Sequence, residues 1–109
     1  MSLDVYLKKT VTRVENVFEY NITHNLNSMA MEAGIYQALW RPEEIGITKA
    51  AQLIGHLQKG LELLASDPDR FQKFDAANGW GRYEDIVDFV GKYLIACIQY
   101  PDADVEACR

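Results

Sequence analysis

The stretch Leu3-Asp4-Val5-Tyr6-Leu7, LDVYL, alternates apolar with more polar residues, which is the period of a β-strand that buries one face. The stretch ADVEA, residues 103–107, shows the same alternation near the other end of the chain. Between them, VTRVENVFEY at residues 11–20 is rich in β-branched and aromatic residues and could turn back on the first strand as a hairpin. We therefore expect both ends of the chain to contribute strands to one sheet.

The middle of the chain shows helical periodicity instead. The clearest helix is predicted over residues 82–100, where apolar residues recur at steps of three and four before Pro101. A second helix is predicted over residues 48–65, and a short one begins at Asp67-Pro68, a favourable cap and first turn. A further helix is predicted over roughly residues 22–39, with a bend near Gly34.

These patterns predict an α+β fold, in which about four helices pack on a small antiparallel sheet of two or three strands. The N-terminal segment and the C-terminal strand form the sheet. An all-α bundle is the alternative, because two short strands are marginal without a helix to cover them. With 109 residues, 49% of them hydrophobic, the chain is expected to form a single globular domain over residues 1–109.

The composition and net charge of the chain limit the classes of partner that it is expected to bind. A formal net charge of -5 and a pI near 4.9 argue against nucleic acid and anionic membranes, which both need a basic surface, so basic partners or neutral small ligands fit better. The sequence shows neither a signal peptide nor an apolar run near the ~18 residues that span a bilayer, which predicts a cytoplasmic protein. Cys97 is expected to be buried and Cys108 accessible, both as free thiols.

The stretch NITHN, residues 21–25, places His24 among polar side chains, opposite the main apolar stripe of the predicted 22–39 helix. His24 is either a hydrogen-bonded residue at the edge of the core or a residue that contacts a ligand or transfers a proton. Two histidines without a neighbouring cysteine predict no metal site. The sequence contains no Ser/His/Asp set, paired-cysteine motif or dinucleotide fingerprint, so we assign no catalytic residue and no cofactor, and favour a binding protein over an enzyme.

Two tryptophan motifs lie between the helices. In WRPEE, residues 40–44, proline holds Arg41 extended, and the corner either buries Trp40 or projects both residues. In NGWG, residues 78–81, the glycines suit positive φ angles, and Trp80 is directed either inward as a core plug or outward as a stacking surface. All three motifs are expected to meet at one rim of the helical layer. The predicted ligand-binding residues are His24, Asn25, Trp40, Arg41, Asn78 and Trp80.

The stretches NITHNL, MAMEAGIYQALWRPEE, NGWG and YPDADVEACR together resemble a family of small uncharacterised proteins encoded by phages, prophages and related mobile elements. The resemblance covers nearly the whole chain from Tyr20 onward. It brings specific motifs but no established function. The chain departs from the family pattern at Cys108, where a serine is usual before the last arginine, and in its short link after the first strand. The resemblance implies an accessory protein of a mobile element.

Three functions stay open at this point. The favoured one is a non-enzymatic accessory protein that binds a small polar ligand or a host protein. The second is a small enzyme that uses His24 as general acid or base on a polar substrate. The third is a structural homodimer with no ligand. A pocket that holds the three motifs would favour a ligand, whereas a flat exposed tryptophan surface would favour a protein partner.

Overall fold

The computed structural model describes residues 2–10, 13–76 and 79–109. Over these residues the chain forms a three-stranded antiparallel sheet and five α-helices, which confirms the predicted α+β fold. Three short 3-10 turns connect them, at His24–Leu26, Pro42–Ile45 and Ala50–Leu53. The elements in chain order are β1 (Ser2–Thr10), β2 (Val14–Thr23), α1 (Asn27–Glu32), α2 (Tyr36–Trp40), α3 (Ile54–Ser66), α4 (Pro68–Gln72), α5 (Tyr83–Gln99) and β3 (Asp104–Cys108).

The N-terminal strand β1 is the middle strand of the sheet, whose order is β2-β1-β3. It pairs with β2 as a hairpin, from Ser2 opposite Thr23 onward, with one register shift between Leu7 and Lys8. On its other side β1 pairs with β3. The predicted strand segments 3–7 and 103–107 therefore lie side by side, apart from Ala103, which just precedes β3.

The alternation along β1 separates the two faces of the sheet. Leu3, Val5 and Leu7 are fully buried against the helices and belong to one continuous core. The residues between them lie on the opposite face, where Lys8 forms an ion pair with Glu106 of β3. The helices therefore cover one face of the sheet, as the alternating pattern predicts.

The helices follow the predicted periodicity closely at the C-terminal end. Helix α5 occupies 17 residues of the predicted 82–100 segment and buries Phe89, Tyr93 and Cys97 completely. The predicted 48–65 helix begins later, as a 3-10 turn followed by α3. Cys97 is buried and Cys108 exposed, as expected. Within the described part of the chain, no helix has the length and apolar character needed to cross a membrane.

The predicted helix over residues 22–39 is wrong in its extent. Ile22 and Thr23 are the last residues of β2, where they pair with Leu3 and Ser2. The Thr23 side chain then accepts a hydrogen bond from the Asn25 amide and starts the 3-10 turn. Gly34, with φ of 76°, separates α1 from α2 completely rather than bending one helix. Strand pairing with β1 overrides the local helical spacing at residues 22 and 23.

The outer edges of the sheet differ. The outer edge of β3 is partly covered, because the Val105 amide donates to the Thr48 carbonyl and Lys49 forms a bridge with Asp104. Arg109, just after β3, donates to the Trp40 carbonyl at 2.9 Å. Within the residues that the structure describes, no backbone hydrogen bond is made at the outer edge of β2.

Gly60 tests how tightly α3 packs against the rest of the core. A Cβ atom added there would lie 2.4 Å from Cγ2 of Ile35, so Gly60→Ala should lower the free energy of unfolding by about 1 to 3 kcal/mol through overpacking. Gly91 in α5 is the matched control, since a Cβ there meets nothing within 4 Å. Gly91→Ala should stabilise by about 0.5 to 1 kcal/mol. Urea unfolding measures both, and a Gly60→Ala variant as stable as the wild type would contradict this packing.

Candidate functional site

The 3-10 turn His24–Leu26 is the point where the three predicted motifs meet. The His24 ring contacts the Trp40 ring edge to face, with 6.0 Å between centroids. The Asn25 side-chain amide donates to the Trp80 carbonyl at 2.9 Å. His24 therefore contacts the first tryptophan motif, and its neighbour Asn25 contacts the second. The structure thus brings His24 and Asn25 into contact with Trp40 and Trp80 respectively, whereas Asn78 lies outside the described residues. Whether these residues bind a ligand stays a prediction.

Trp40 and Arg41 occupy the interior side of this meeting point. Trp40 is only 1% exposed, and its ring stacks on that of Tyr36 at 5.5 Å. The Arg41 guanidinium donates to the Tyr36 hydroxyl and to Glu44, both at 3.3 Å. In this conformation Trp40 packs in the core and offers no surface to a ligand. Arg41 holds the adjoining turn in place through its hydrogen bonds to Tyr36 and Glu44.

His24 is half-buried, and its ring lies against Trp40 rather than facing solvent. Nε2 of His24 and Nε1 of Trp40 are both buried, and neither has a hydrogen-bond partner within the described residues. A general acid or base needs its nitrogen within about 2.6 to 3.2 Å of the proton it transfers. In this arrangement Nε2 of His24 is shielded from any molecule at the surface.

Trp80 has the opposite placement, with 70% of its surface exposed. The glycines on either side have φ angles of 77° at Gly79 and 105° at Gly81, which favour glycine. Gly81 is also buried, since a Cβ there would lie 3.1 Å from side-chain atoms of Thr23 and Asn25. The loop is thus packed on the His24–Leu26 turn while the indole extends outward. Asn78, the other predicted residue of this motif, lies outside the described residues.

Two cavities adjoin each other next to this loop, with volumes of about 210 Å³ and 260 Å³. They meet at Tyr20 and Asn21, which line both. Consecutive residues of a strand point to opposite faces, so the first cavity, which is lined by residues 20–23, follows the edge of β2. The second cavity lies over the solvent-facing side of the sheet, where Asp4 and Tyr6 of β1 are paired with Asn21 and Glu19. We call the two cavities together the β2 groove. The first is lined by Tyr20, Asn21, Ile22, Thr23, Leu26 and Asp85, and the second by Asp4, Tyr6, Glu19, Tyr20 and Asn21.

The β2 groove is acidic. Its described lining contains three carboxylates, those of Asp4, Glu19 and Asp85, and no cationic side chain. The negative charge of Asp4, with smaller contributions that include Glu19, raises the pKa of Tyr6. The Asn21 amide donates to Asp4 at 2.7 Å and so fixes one of these carboxylates within the groove.

Tyr20 connects the β2 groove to the helical layer. Its hydroxyl donates to the Asp88 carboxylate of α5, and its ring lies 5.1 Å from that of Phe89. Burial, reinforced by the hydrogen bond to Asp88, raises the pKa of Tyr20 to about 12. That hydrogen bond, together with Lys92, lowers the pKa of Asp88. Tyr20 is therefore neutral at physiological pH. Its contacts with Asp88 and Phe89 hold its side chain in place between the two cavities.

Reasoning from the sequence missed most of the groove residues. Asp4 and Glu19 belong to the polar halves of alternating strands, which in most sheets are simply solvated. They come together only through the register of the hairpin, which places Asp4 opposite Asn21 and Tyr6 opposite Glu19. The alternation of β1 was visible in the sequence, but the pairing register was not.

Comparison of the chain with family models, curated proteins and solved structures finds no significant match. The resemblance to a family of phage and prophage proteins therefore stays a prediction. In the described part of the chain, no three His, Cys, Asp or Glu side chains are grouped so that they could hold a metal ion.

The two tryptophans should respond oppositely to substitution. Trp40→Ala empties a core site and should lower the free energy of unfolding by about 3 to 5 kcal/mol. Trp80→Ala removes an outward side chain and should cost about 1 kcal/mol or less. In a matched pair of phenylalanine variants, Trp80→Phe should abolish most of the iodide-quenchable fluorescence and Trp40→Phe should retain it. Similar losses of stability for the two alanine variants would contradict the outward placement of Trp80.

Proposed function

We propose that the protein is a non-enzymatic binding protein, whose partner is a protein that contacts Trp80 and the adjoining β2 groove. The observation that carries the proposal is a largely exposed indole on a loop whose backbone is held in place. Tryptophan is enriched among the few residues that supply most of the energy of protein interfaces. A held loop also avoids part of the ordering cost of binding.

The loop and the groove form one continuous surface. Gly81 lies in contact with Thr23 and Leu26, which both line the first cavity. A partner seated in the β2 groove therefore reaches the side of the loop that carries Trp80. The combination of a central aromatic anchor and a flanking polar groove is the usual arrangement of a protein interface.

The size of the cavities favours a protein partner over an enclosed small ligand. Each is smaller than the roughly 300 to 1,000 Å³ of typical ligand pockets. The large apolar ring beside them lies outside on the surface instead of lining a closed pocket. The small polar ligand stays as the alternative occupant of the same surface.

The enzyme hypothesis receives less support from the position of His24. Its Nε2 atom is buried, and its ring contacts Trp40 on the interior side of the turn. The proposal therefore gives His24 a packing role against Trp40. On the family resemblance, the partner is a host protein met in the cytoplasm, and the protein acts as an accessory factor of a phage or mobile element.

Affinity capture with matched variants tests this proposal. The wild type, Trp80→Ala and Ile45→Ala are immobilised and incubated with a bacterial cell extract, and retained proteins are quantified by mass spectrometry. Ile45 is a matched control because it is also an exposed apolar side chain, but it belongs to the Pro42–Ile45 turn, where Glu43 pairs with Arg109 just after β3. We expect a protein that wild type and Ile45→Ala retain equally and Trp80→Ala retains at least about tenfold less.

Two results would contradict the proposal. One is a set of retained proteins that is the same for Trp80→Ala as for the wild type. The other is a small molecule retained in a Trp80-dependent way with no accompanying protein, which would establish the ligand alternative. Circular dichroism of each variant confirms that the comparison is made between folded proteins.

A further inference from the structure

We infer that the partner presents a positively charged extended segment, which adds as a fourth strand to the outer edge of β2. This inference rests on the proposed function, because it specifies which part of the protein partner occupies the β2 groove. Strand addition of this kind uses main-chain hydrogen bonds for affinity and side-chain contacts for specificity.

The first support is that the two outer edges of the sheet differ in their backbone hydrogen bonding. On β3 the Val105 amide donates a hydrogen bond to the Thr48 carbonyl at 2.9 Å, and the backbone of Lys49 forms an isolated β-bridge with that of Asp104. Along β2 no hydrogen bond from the described residues reaches the outer side of the backbone. In an antiparallel pair every second residue directs its N–H and C=O away from the neighbouring strand. The outer edge of β2 therefore offers a row of unsatisfied backbone groups, which is a template for another strand.

The second support is that the first cavity of the β2 groove runs along this edge. Four consecutive residues, 20–23, line it. At about 3.4 Å per residue, these residues extend over about 14 Å. That length accommodates about four residues of an added strand. The end of the groove at Thr23 and Leu26 lies beside Gly81, so a strand bound there ends next to Trp80.

The third support is the charge of the groove. Asp4, Glu19 and Asp85 form no salt bridge within the part of the chain that is described. Asp4 and Asp85 accept hydrogen bonds from the Asn21 side chain and the Arg82 backbone N–H, but neither is neutralised by a cation among the described residues. Lysine or arginine side chains of an added strand would therefore meet uncompensated negative charge.

The cations that adjoin the groove are already engaged. Lys8, which lies 5.3 Å from the centre of the Tyr6 ring, pairs with Glu106. Lys92 of α5 pairs with Asp88, and Arg82, just before α5, pairs with Glu84.

The carboxylates of the β3 side contrast with those of the groove. Glu106 pairs with Lys8, Asp104 with Lys49, and Glu43 with Arg109. The groove thus carries carboxylates without an ion-pair partner among the described residues, whereas these three carboxylates on the β3 side are paired.

A second copy of this chain fits the same edge less well. Symmetric antiparallel pairing of two β2 strands about Val17 would place Glu15 of each copy opposite Glu19 of the other. Like charges facing each other across paired strands are destabilising. The charge pattern therefore favours a basic partner of different sequence over self-association.

Three synthetic octapeptides test the inference. The probe alternates lysine and valine, so that it carries positive charge and forms a strand. The charge control alternates glutamate and valine. The pairing control has the lysine-valine sequence with every backbone amide N-methylated, which keeps the charge and removes the N–H donors. Isothermal titration gives the affinities, and amide hydrogen exchange reports on residues 19–23.

We expect the lysine-valine peptide to bind the wild type at least about tenfold more tightly than either control peptide. Binding should slow exchange of the outward amides of residues 19–23. The double variant Glu19→Gln/Asp85→Asn should weaken binding at least about tenfold at low salt. Glu62→Gln, which removes an exposed carboxylate of α3 outside the β2 groove, should leave the affinity unchanged.

Each opposite outcome overturns the inference. Equal binding of the N-methylated peptide would mean that charge alone attracts the probe and that β2 does not pair. Failure of the lysine-valine peptide to bind, while a protein is still captured in a Trp80-dependent way, would leave the proposed function standing and remove the strand. Concentration-dependent dimerisation that blocks the peptide, measured by sedimentation, would assign the edge to a second copy. If affinity capture showed no protein whose retention depends on Trp80, the proposed function itself would be contradicted.

Discussion

The constraint on which this fold depends is the one-sided burial of its central strand. Leu3, Val5 and Leu7 are all fully buried, and a slip of one residue would bring Asp4 and Tyr6 into the core in their place. The strand therefore requires one register, a neighbour on each side and a helical layer over one face. In the described part of the chain, two further strands flank it, so the outer edges of β2 and β3 are the edges of the sheet. The edge of β3 is partly covered, whereas no backbone hydrogen bond from the described residues reaches that of β2.

The strands at both chain ends and helix α5 could be predicted, because each depends on a pattern that its own residues carry. The start of the predicted 22–39 helix could not, because Ile22 satisfies the spacing of a helical stripe and the pairing of a strand equally well. Only its partner, Leu3, decides between them, and that pairing is distant in sequence. The break at Gly34 is a related case, since glycine permits a bend or a complete interruption, and packing of the two short helices selects the interruption.

The candidate site was partly visible in the sequence. The convergence of His24, Asn25 and Trp80 followed from their positions at element ends. The orientation of the two tryptophans did not, because it depends on what lies beneath each loop. Gly81 packs so closely on Thr23 and Asn25 that the Trp80 side chain is left outside, whereas Trp40 is covered by Tyr36 and His24. The acidic β2 groove could not be predicted from the sequence, because polar residues on a solvated sheet face show no distinguishing pattern. Only the pairing register of the strands places them together.

The central claim is that the outer edge of β2 is unpaired in the isolated protein, and amide hydrogen exchange measured by NMR without any partner tests it most directly. The account predicts alternation along β2, in which amides directed toward β1 exchange slowly and those directed outward exchange quickly. Along residues 4–8 of β1, which have neighbours on both sides, all amides should exchange slowly. Uniformly slow exchange along β2 would show that its edge is already covered and would contradict the account.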